Sequence, residues 1–564
     1  MTDERQFPDE HGTDPPPPAF EERHSFDTGA FEPVTDAVQP ETRPRRRGAG
    51  RIARSTAFFS IATGASRVAG LVREIVAASY FGITGAMSAF TIAFQVPNLV
   101  RSLFADAAIQ AAFMPVFTEQ LERGNKREAF RLASTLIFLV TLVLGAITAL
   151  FILLAPVVMP VFAPGFEGQI LDLTIALSRI MFPILILLGM TGLVVGVLNS
   201  YQRFAAFAIS PLFWNLAIIA VLVGLVPAFP DEDEIYAYAI GILVGTVIQL
   251  AIPAWDLRHT PFKLQFSFEW RDPNVRRVLL LMLPVTISLG LINFNLLINS
   301  FFGTLVSEQA PAAIDKAFRI YMLPQGVFSV AVATVLFPTL ARFAARHSYL
   351  DLRSTMANGM RQILLLLIPA AAAMLVLSEP MIRLVYERGV FDAAQTDLVA
   401  TALFWFAFSL PFNGLFLLLT RTFFSLQLPW VPSWTSALNL AITALAALIL
   451  YGPYGVAGIV AATAIATATA VIAQATVLHR ELRGLELPRL VHTTARIVVA
   501  AAALAGVSYV VWLGLDEALG RSLVAQIVSM SGGLATGAVA YAGALRLMRV
   551  QELEQILRLV RRSA

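Results

Sequence analysis

Apolar residues come in runs of about twenty, broken by short polar stretches, from Thr56 nearly to the end of the chain. A helix needs about 20 residues to cross the hydrocarbon of a bilayer. Runs of that kind lie near 55–80, 86–117, 132–156, 170–198, 205–226, 236–255, 278–301, 317–341, 359–378, 398–419, 431–450, 456–478, 497–514 and 522–545. The pattern predicts an all-α polytopic membrane protein with about 14 transmembrane helices. Residues 1–42 stand apart. They hold Pro15-Pro16-Pro17-Pro18, many acids and few aliphatics, and show neither a helical nor a strand period. They read as a disordered, solvated tail. They do not read as a signal peptide, since the first long apolar run starts only near Thr56.

Composition agrees with this pattern. Hydrophobic residues make up 57% of the chain and charged residues 14%, with a mean hydropathy of +0.70. Soluble proteins carry about 25% charged residues, so a large soluble enzyme is excluded. With no cysteine there is no disulfide, thiolate metal site or cysteine nucleophile. The six histidines fall in the tail, loops or helix ends, and no HExxH or phosphate-binding GxxxxGK[ST] pattern occurs. Catalysis therefore has no visible machinery. Nor is there a repeated ring of filter residues that a channel would need.

Positive charge is unevenly placed. Counted from an inside start, the inner connections collect Arg123, Lys126, Arg127 and Arg131, then Arg258, Lys263, Arg271, Arg276 and Arg277, among others. The outer set keeps only Lys316, Arg383, Arg388 and Arg521, with the acidic run Asp231–Glu234. This bias predicts both termini in the cytoplasm. A collar of Arg43, Arg45, Arg46, Arg47, Arg51 and Arg54 precedes the first span. It reads as an anchor on anionic lipid, and no nucleic-acid partner is expected.

The chain also repeats at an offset of about 225 residues. Pro156 to Phe162 resembles Pro380 to Tyr386, Gln202 matches Gln427, and Asn215 nearly matches Asn439. A repeat spanning an even number of crossings predicts two six-helix lobes related by an axis along the membrane normal, plus two C-terminal helices. The expected organisation is a tail and collar at 1–50, a first lobe at 51–255 and a cytoplasmic linker at 256–277. A second lobe follows at 278–480, then two further helices at 481–550 and a cytoplasmic tail at 551–564.

Charges inside the expected spans carry the functional signal. Arg67, Arg73, Arg101, Arg179 and Arg319 remain after the loops are counted, against the acids Glu74 and Asp106. A charge at mid-bilayer costs roughly 2.5–3.5 kcal/mol on insertion scales, so each must face a partner or a cavity. Snorkelling accounts for Arg179. For Arg67, Arg73, Arg101 and Arg319 the acids are too few, and the surplus positive charge calls for an anion. A guanidinium matches phosphate with two parallel bonds and stays charged when buried. Pro97 and Pro115 are the expected bend points of the long second span.

Several stretches resemble a known family. Ser66-Arg67-Val68-Ala69-Gly70-Leu71-Val72-Arg73-Glu74 is similar to the first-helix signature of the MurJ/MviN lipid II flippases. So are Phe94 to Asp106, with Pro97-Asn98 and Arg101 inside it, the Ala163-Pro164-Gly165-Phe166 stretch, and Arg319 with Leu323-Pro324-Gln325-Gly326. The resemblance covers about residues 52–550 and places the chain in the multidrug/oligosaccharidyl-lipid/polysaccharide exporter superfamily. It implies a cavity between two lobes and a lipid-tail groove beside the last two helices. The implied substrate is lipid II, an undecaprenyl-diphosphate-linked peptidoglycan precursor, flipped to the outer leaflet of the bacterial cytoplasmic membrane by alternating access. The family's cavity arginines fall on Arg67, Arg73, Arg101 and Arg319, with Glu74, Ser88, Pro97, Asn98 and Asp106 as cavity or gating positions.

Two departures stand out. Ser88 and Phe318 occupy positions where the family usually has acids, which would make the cavity more positive. The family's sodium site carries over only to Asn439, with no acid beside it, so coupling to sodium or to membrane potential stays open and no bound cofactor is expected. A monomer is expected. The competing readings are a flippase for another polyprenyl-diphosphate saccharide, a drug exporter of the same superfamily, and a membrane scaffold that recruits cell-wall synthesis proteins through its N-terminal tail.

Overall fold

The protein's structure is a computed structural model. It describes the backbone of residues 46–550 and 552 except 105, 232 and 483, and the side chains of 61–550 and 552 except 101–111, 232, 283–293 and 483. The chain divides into two units, Met1–Arg54 and Ser55–Ala564. Of the first, only the opening turns of a helix from Arg46 are described. The expected tail at 1–42 lies outside the described residues, as does the tail at 551–564 apart from Glu552.

The chain runs through α1 (Arg46–Phe81), α2 (Gly85–Phe104), α3 (Asp106–Glu122), α4 (Lys126–Phe162), α5 (Gly168–Met181), α6 (Ile184–Ser200), α7 (Ala205–Leu225) and α8 (Ile235–Asp256). It continues with α9 (Pro273–Val306), α10 (Ala310–Pro324), α11 (Val330–Ala345), α12 (Tyr349–Tyr386), α13 (Ala393–Ser425), α14 (Trp430–Glu481), α15 (Leu487–Leu519) and α16 (Leu523–Leu547). No strand occurs among the described residues. Ten helical stretches among them are long and apolar enough to cross a membrane. Their outward faces are apolar: Leu153 is 75% exposed and Val335 74%. A surface of that kind is stable only against lipid. The protein is an all-α polytopic membrane protein.

Helix limits depart from the apolar runs in three places: the run at 86–117 is divided between α2 and α3, with Pro97 and Pro115 inside those helices, the run at 170–198 is divided between α5 and α6, and the eighth run begins early. The runs at 431–450 and 456–478, numbered together as α14, are two helices that meet at a kink at Gly455, with φ of 56° and ψ of −133°. The eighth run, expected from 317, starts at Ala310 because Pro311 opens the helix at a position where a missing N–H is harmless. Asp315 and Lys316 therefore sit within α10. Lys316, read from the sequence as an outer-loop cation, is fully buried. Arg383 is likewise no loop residue: it lies in α12, 5% exposed, and pairs with Asp516 of α15.

Inside hydrocarbon every backbone polar group needs a partner. Pro156 within α4 has no N–H to offer the Ile152 carbonyl, and Arg179 Nε of α5 takes that carbonyl at 3.2 Å. Arg179 thus has a backbone role beyond snorkelling. The helices α15 and α16 approach closely at Gly537, where a β-carbon would meet Ser508 Oγ at 1.9 Å. At α12, α15 is fixed by Arg383–Asp516 near one end and by Arg361, 3.3 Å from Glu486, near the other.

Left-handed turns recur at an offset of about 225 residues. Gln202 and Gln427 both adopt left-handed conformations, with φ of 58° and 59°, in the turns before α7 and α14. Gly124 and His347 do the same before α4 and α12, with φ of 80° and 54°. Non-glycine residues rarely take this conformation, which sets Gln202, His347 and Gln427 apart from ordinary turn residues.

Connections at one end of the bundle tie the halves together. Val390 N donates to Ser79 O at 3.1 Å, Ile83 N to Gln395 Oε1 at 3.0 Å, and Gly165 N to Thr304 Oγ1 at 3.2 Å. Gly165 must be glycine-sized here, because a β-carbon would lie 2.0 Å from Thr304 O.

Candidate functional site

Five charged side chains meet where α1 faces α10. Glu74 is their centre, 3% exposed. Its Oε1 receives Arg73 Nη2 at 2.5 Å and Arg319 Nη1 at 3.2 Å, while its Oε2 receives Lys316 Nζ at 2.8 Å. Arg319 Nε also bonds Asp315 Oδ2 at 2.8 Å, one turn back along α10. Stripping a carboxylate of water costs several kcal/mol, and three charge-assisted bonds offset that cost. Three cations against two carboxylates leave one positive charge in excess. A first-half carboxylate therefore holds two second-half cations.

The cations are not equivalent. Arg73 stacks 4.6 Å over Trp214, and its buried Nε and Nη1 have no hydrogen-bond partner. Those groups are free to donate to a second anion. Arg319 is the half-exposed member, with Asp315 as a partner on its own helix. Lys316 has only Glu74 as a carboxylate partner among the described residues, and its Nζ lies 5.7 Å from the Tyr386 ring centroid.

Lys316 and Asp315 were missed in the sequence. The signal for Asp315 was available as an i, i+4 acid–arginine spacing. It also corrects the expectation that Phe318 leaves the eighth-span arginine without an acid. Asp315 supplies that charge from a turn earlier, and Phe318 packs on Tyr321 and Phe406, each with ring centroids 5.7 Å away.

Arg67 lies apart from this cluster. Six residues at 3.6 per turn put it about 120° around α1 from Arg73. Its side chain is exposed, and a β-carbon on Gly326 would lie 3.8 Å from its Nη1. Gly326 belongs to the π-helical turn Gln325–Ser329 that joins α10 to α11. Arg101 and Asp106 have side chains outside the described residues. Pro97 is buried within α2, and Asn98 beside it is half-buried and partnered.

Ser88 is fully buried, and its Oγ accepts the N–H of Ala312 at 3.1 Å. The first N–H groups of a helix have no partner within it. Ser88 of α2 thus caps α10 from outside, close in sequence to Lys316. Asn439 accepts from Asn295 Nδ2 at 2.6 Å and donates to Thr467 Oγ1 at 3.4 Å. These partners are neutral, and no group of three His, Asp or Glu residues fit for a metal occurs among the described residues. Asn439 thus belongs to a neutral polar seam between α9 and α14.

A family model described as "Lipid II flippase MurJ" matches residues 77–524. A probable lipid II flippase MurJ of Rhizobium meliloti (strain 1021) is 33% identical over 511 residues, covering 89% of this chain and 95% of that protein. One from Rhizobium tropici is 33% identical over 450 residues, covering 79% and 84%. Among solved structures, a lipid II flippase MurJ in an inward closed conformation aligns with a TM-score of 0.73 at 21% identity, covering 87% of this chain and 99% of that one. An inward-facing multidrug resistance MATE transporter aligns with a TM-score of 0.62 at 13% identity, covering 74% and 94%. Those two likenesses concern the fold.

Proposed function

The chain belongs to the MurJ family of lipid II flippases, and from that membership we propose how its buried charges serve the transport. The function is lipid II flipping: the precursor crosses the inner membrane intact, and no bond is made or broken. In our reading, two six-helix lobes with both termini in the cytoplasm enclose the site. The repeated left-handed turns and the Lys/Arg bias support this.

The observation that carries the mechanism is Glu74 shared between Arg73 on one side and Lys316 and Arg319 on the other. A carboxylate occupies the place that a diphosphate would claim. The incoming diphosphate, with its larger charge, meets half-exposed Arg319 first and then reaches the buried, unpartnered donors of Arg73. Arg67, on an exposed face near Gly326, extends the basic lining. As the diphosphate takes up the arginines, Glu74 loosens its hold on α10 and the halves can part. Arg319 then keeps Asp315, but Lys316 loses its only carboxylate. That asymmetry favours return to the closed state after release. Binding shifts the balance between two arrangements because the diphosphate interacts differently with each.

Depleting the protein and measuring the undecaprenyl-linked precursors of the inner leaflet tests the reading. Lipid II should accumulate, and wild-type chain but not Arg73→Lys should reverse it. Accumulation of a different lipid-linked saccharide would redirect the assignment.

A further inference from the structure

The connection from α8 to α9 holds a feature outside the charged site. Residues 262–271 alternate strictly, with Phe262, Leu264, Phe266, Phe268 and Trp270 interleaved by Lys263, Gln265, Ser267, Glu269 and Arg271. The segment is neither helix nor strand through 262–269, and in extended backbone alternate residues point to opposite sides. In a water-facing strap the apolar side would turn inward.

Here the polar side turns inward. Gln265 N donates to Ser134 Oγ at 3.0 Å, Thr135 Oγ1 bonds Ser267 Oγ at 3.2 Å, and Glu269 N reaches Thr135 Oγ1 at 3.4 Å. Arg131 lies 3.6 Å from Glu269. Past the first anchor, where Phe262 is buried against Phe130, the apolar side faces outward. Phe266 is 96% exposed, Leu264 58%, Trp270 54% and Phe268 46%.

The course of the strap along α4 indicates what covers that side. It starts at Phe130, reaches Phe138 through Phe266 with ring centroids 5.4 Å apart, and returns to Arg131 through Glu269. Phe138 is seven residues, about 10 Å of helix, deeper along α4 than Arg131. One turn further, Leu142 and Val143 begin the exposed apolar face of this membrane-spanning helix. The exposed ring of Phe266 is thus continuous with the lipid-facing surface. Cations frame the dip: Lys263 is exposed, Arg271 sits 4.7 Å over Trp270, and Arg258 sits 3.0 Å over Trp255. Aromatic rings beside guanidinium groups suit the headgroup layer, where an apolar body and a charged tip are both satisfied.

We propose that residues 262–271 form a wedge inserted into the leaflet at the N-terminal end of α4, with Phe266 among the acyl chains and Lys263 and Arg271 on anionic phospholipid headgroups. The depth of the dip agrees with the 5–10 Å at which interfacial segments sit. Because the strap joins α8 to α9, its anchoring would hold the connection between the two halves at a fixed depth while they move.

The absence of native cysteine makes the test direct. Phe266→Cys, Leu142→Cys and Asp233→Cys, each in the full chain and spin-labelled, are placed in vesicles of phosphatidylcholine with phosphatidylglycerol. Collisions with oxygen should exceed those with a water-soluble nickel chelate at Phe266→Cys and Leu142→Cys, and the reverse should hold at Asp233→Cys. A Phe266→Cys label that behaves like the Asp233→Cys label would overturn the proposal and leave the strap open to a soluble partner. For the headgroup contact, the Lys263→Gln/Arg271→Gln chain is purified from mixed lipid and its retained phospholipid measured. It should lose the preference for phosphatidylglycerol over phosphatidylcholine that the wild-type chain shows, while Asp231→Asn should not change that preference. An unchanged preference in the double variant would refute the anionic contact independently of lipid II transport.

Discussion

Lys316 Nζ and Glu74 Oε2 are 2.8 Å apart, and the pair joins the two halves of the chain through side chains almost wholly removed from solvent. Removing one partner of a buried pair leaves the other without compensation, at about 3–5 kcal/mol. Glu74→Gln, which strands Lys316, should therefore lower the melting temperature in lipid nanodiscs strongly. Lys316→Met leaves Glu74 with two arginines and should lower it less. The double variant Glu74→Gln/Lys316→Met should recover part of the loss, and a double variant as unstable as the sum of the singles would contradict the pairing.

Arginine geometry is the second point to test. Lysine keeps the charge but lacks the planar set of donors, so Arg73→Lys and Arg319→Lys should lose most transport at matched membrane abundance, with alanine worse at both. Complementation of a depleted strain measures this. Near-normal growth with both lysine variants would end the diphosphate reading.

Ser88 makes a graded prediction. Its Oγ caps Ala312 N at the start of α10, and a carboxylate there accepts the same N–H and faces the positive end of the helix. Ser88→Asp should remain active. Ser88→Ala should be about 1 kcal/mol less stable, as for other lost caps. Thermal melts and complementation of both variants, side by side, decide; a folded but inactive Ser88→Asp chain would count against this role.

Closure of one end can be locked. Val390 N and Ser79 O are 3.1 Å apart, a backbone approach within reach of a disulfide. Oxidation of Ser79→Cys/Val390→Cys should arrest transport, and reductant should restore it. Full activity of a quantitatively cross-linked chain would exclude any opening at this end.

Sidedness follows from the Lys/Arg bias. A cysteine in place of Asp233 should react with an impermeant maleimide in intact cells. Reaction only after permeabilisation would reverse the orientation.

Much of this was legible because long apolar runs have few other uses, and because arginine inside such a run demands an explanation. Arg73, Glu74 and Arg319 were identified in that way, and the structure brings them together. Lys316 was not, since the Ser307-Glu308-Gln309 turn and the polar Asp315-Lys316 pair read as one loop, although Pro311 has already begun a helix between them. Arg67 and Arg73 look alike in the sequence, yet their spacing of six turns them to different sides of α1. In the sequence the strap at 262–271 is part of the cytoplasmic linker 256–277, and its alternation acquires meaning only where Ser134 and Thr135 hold its polar side.

The contacts closing one end share a chemical trait: in each of them the donor is a main-chain amide, from Val390, Ile83, Ala312 or Gly165. Side chains can swing to new partners when an interface parts, but a peptide N–H stays where its helix or turn holds it. Four such groups laid bare together need water at once. Separation of the halves at this end is therefore a wetting event, and its rate depends on how readily water enters the cleft. Solutes excluded from that cleft would hold the carrier shut by osmotic stress alone, without touching the diphosphate site.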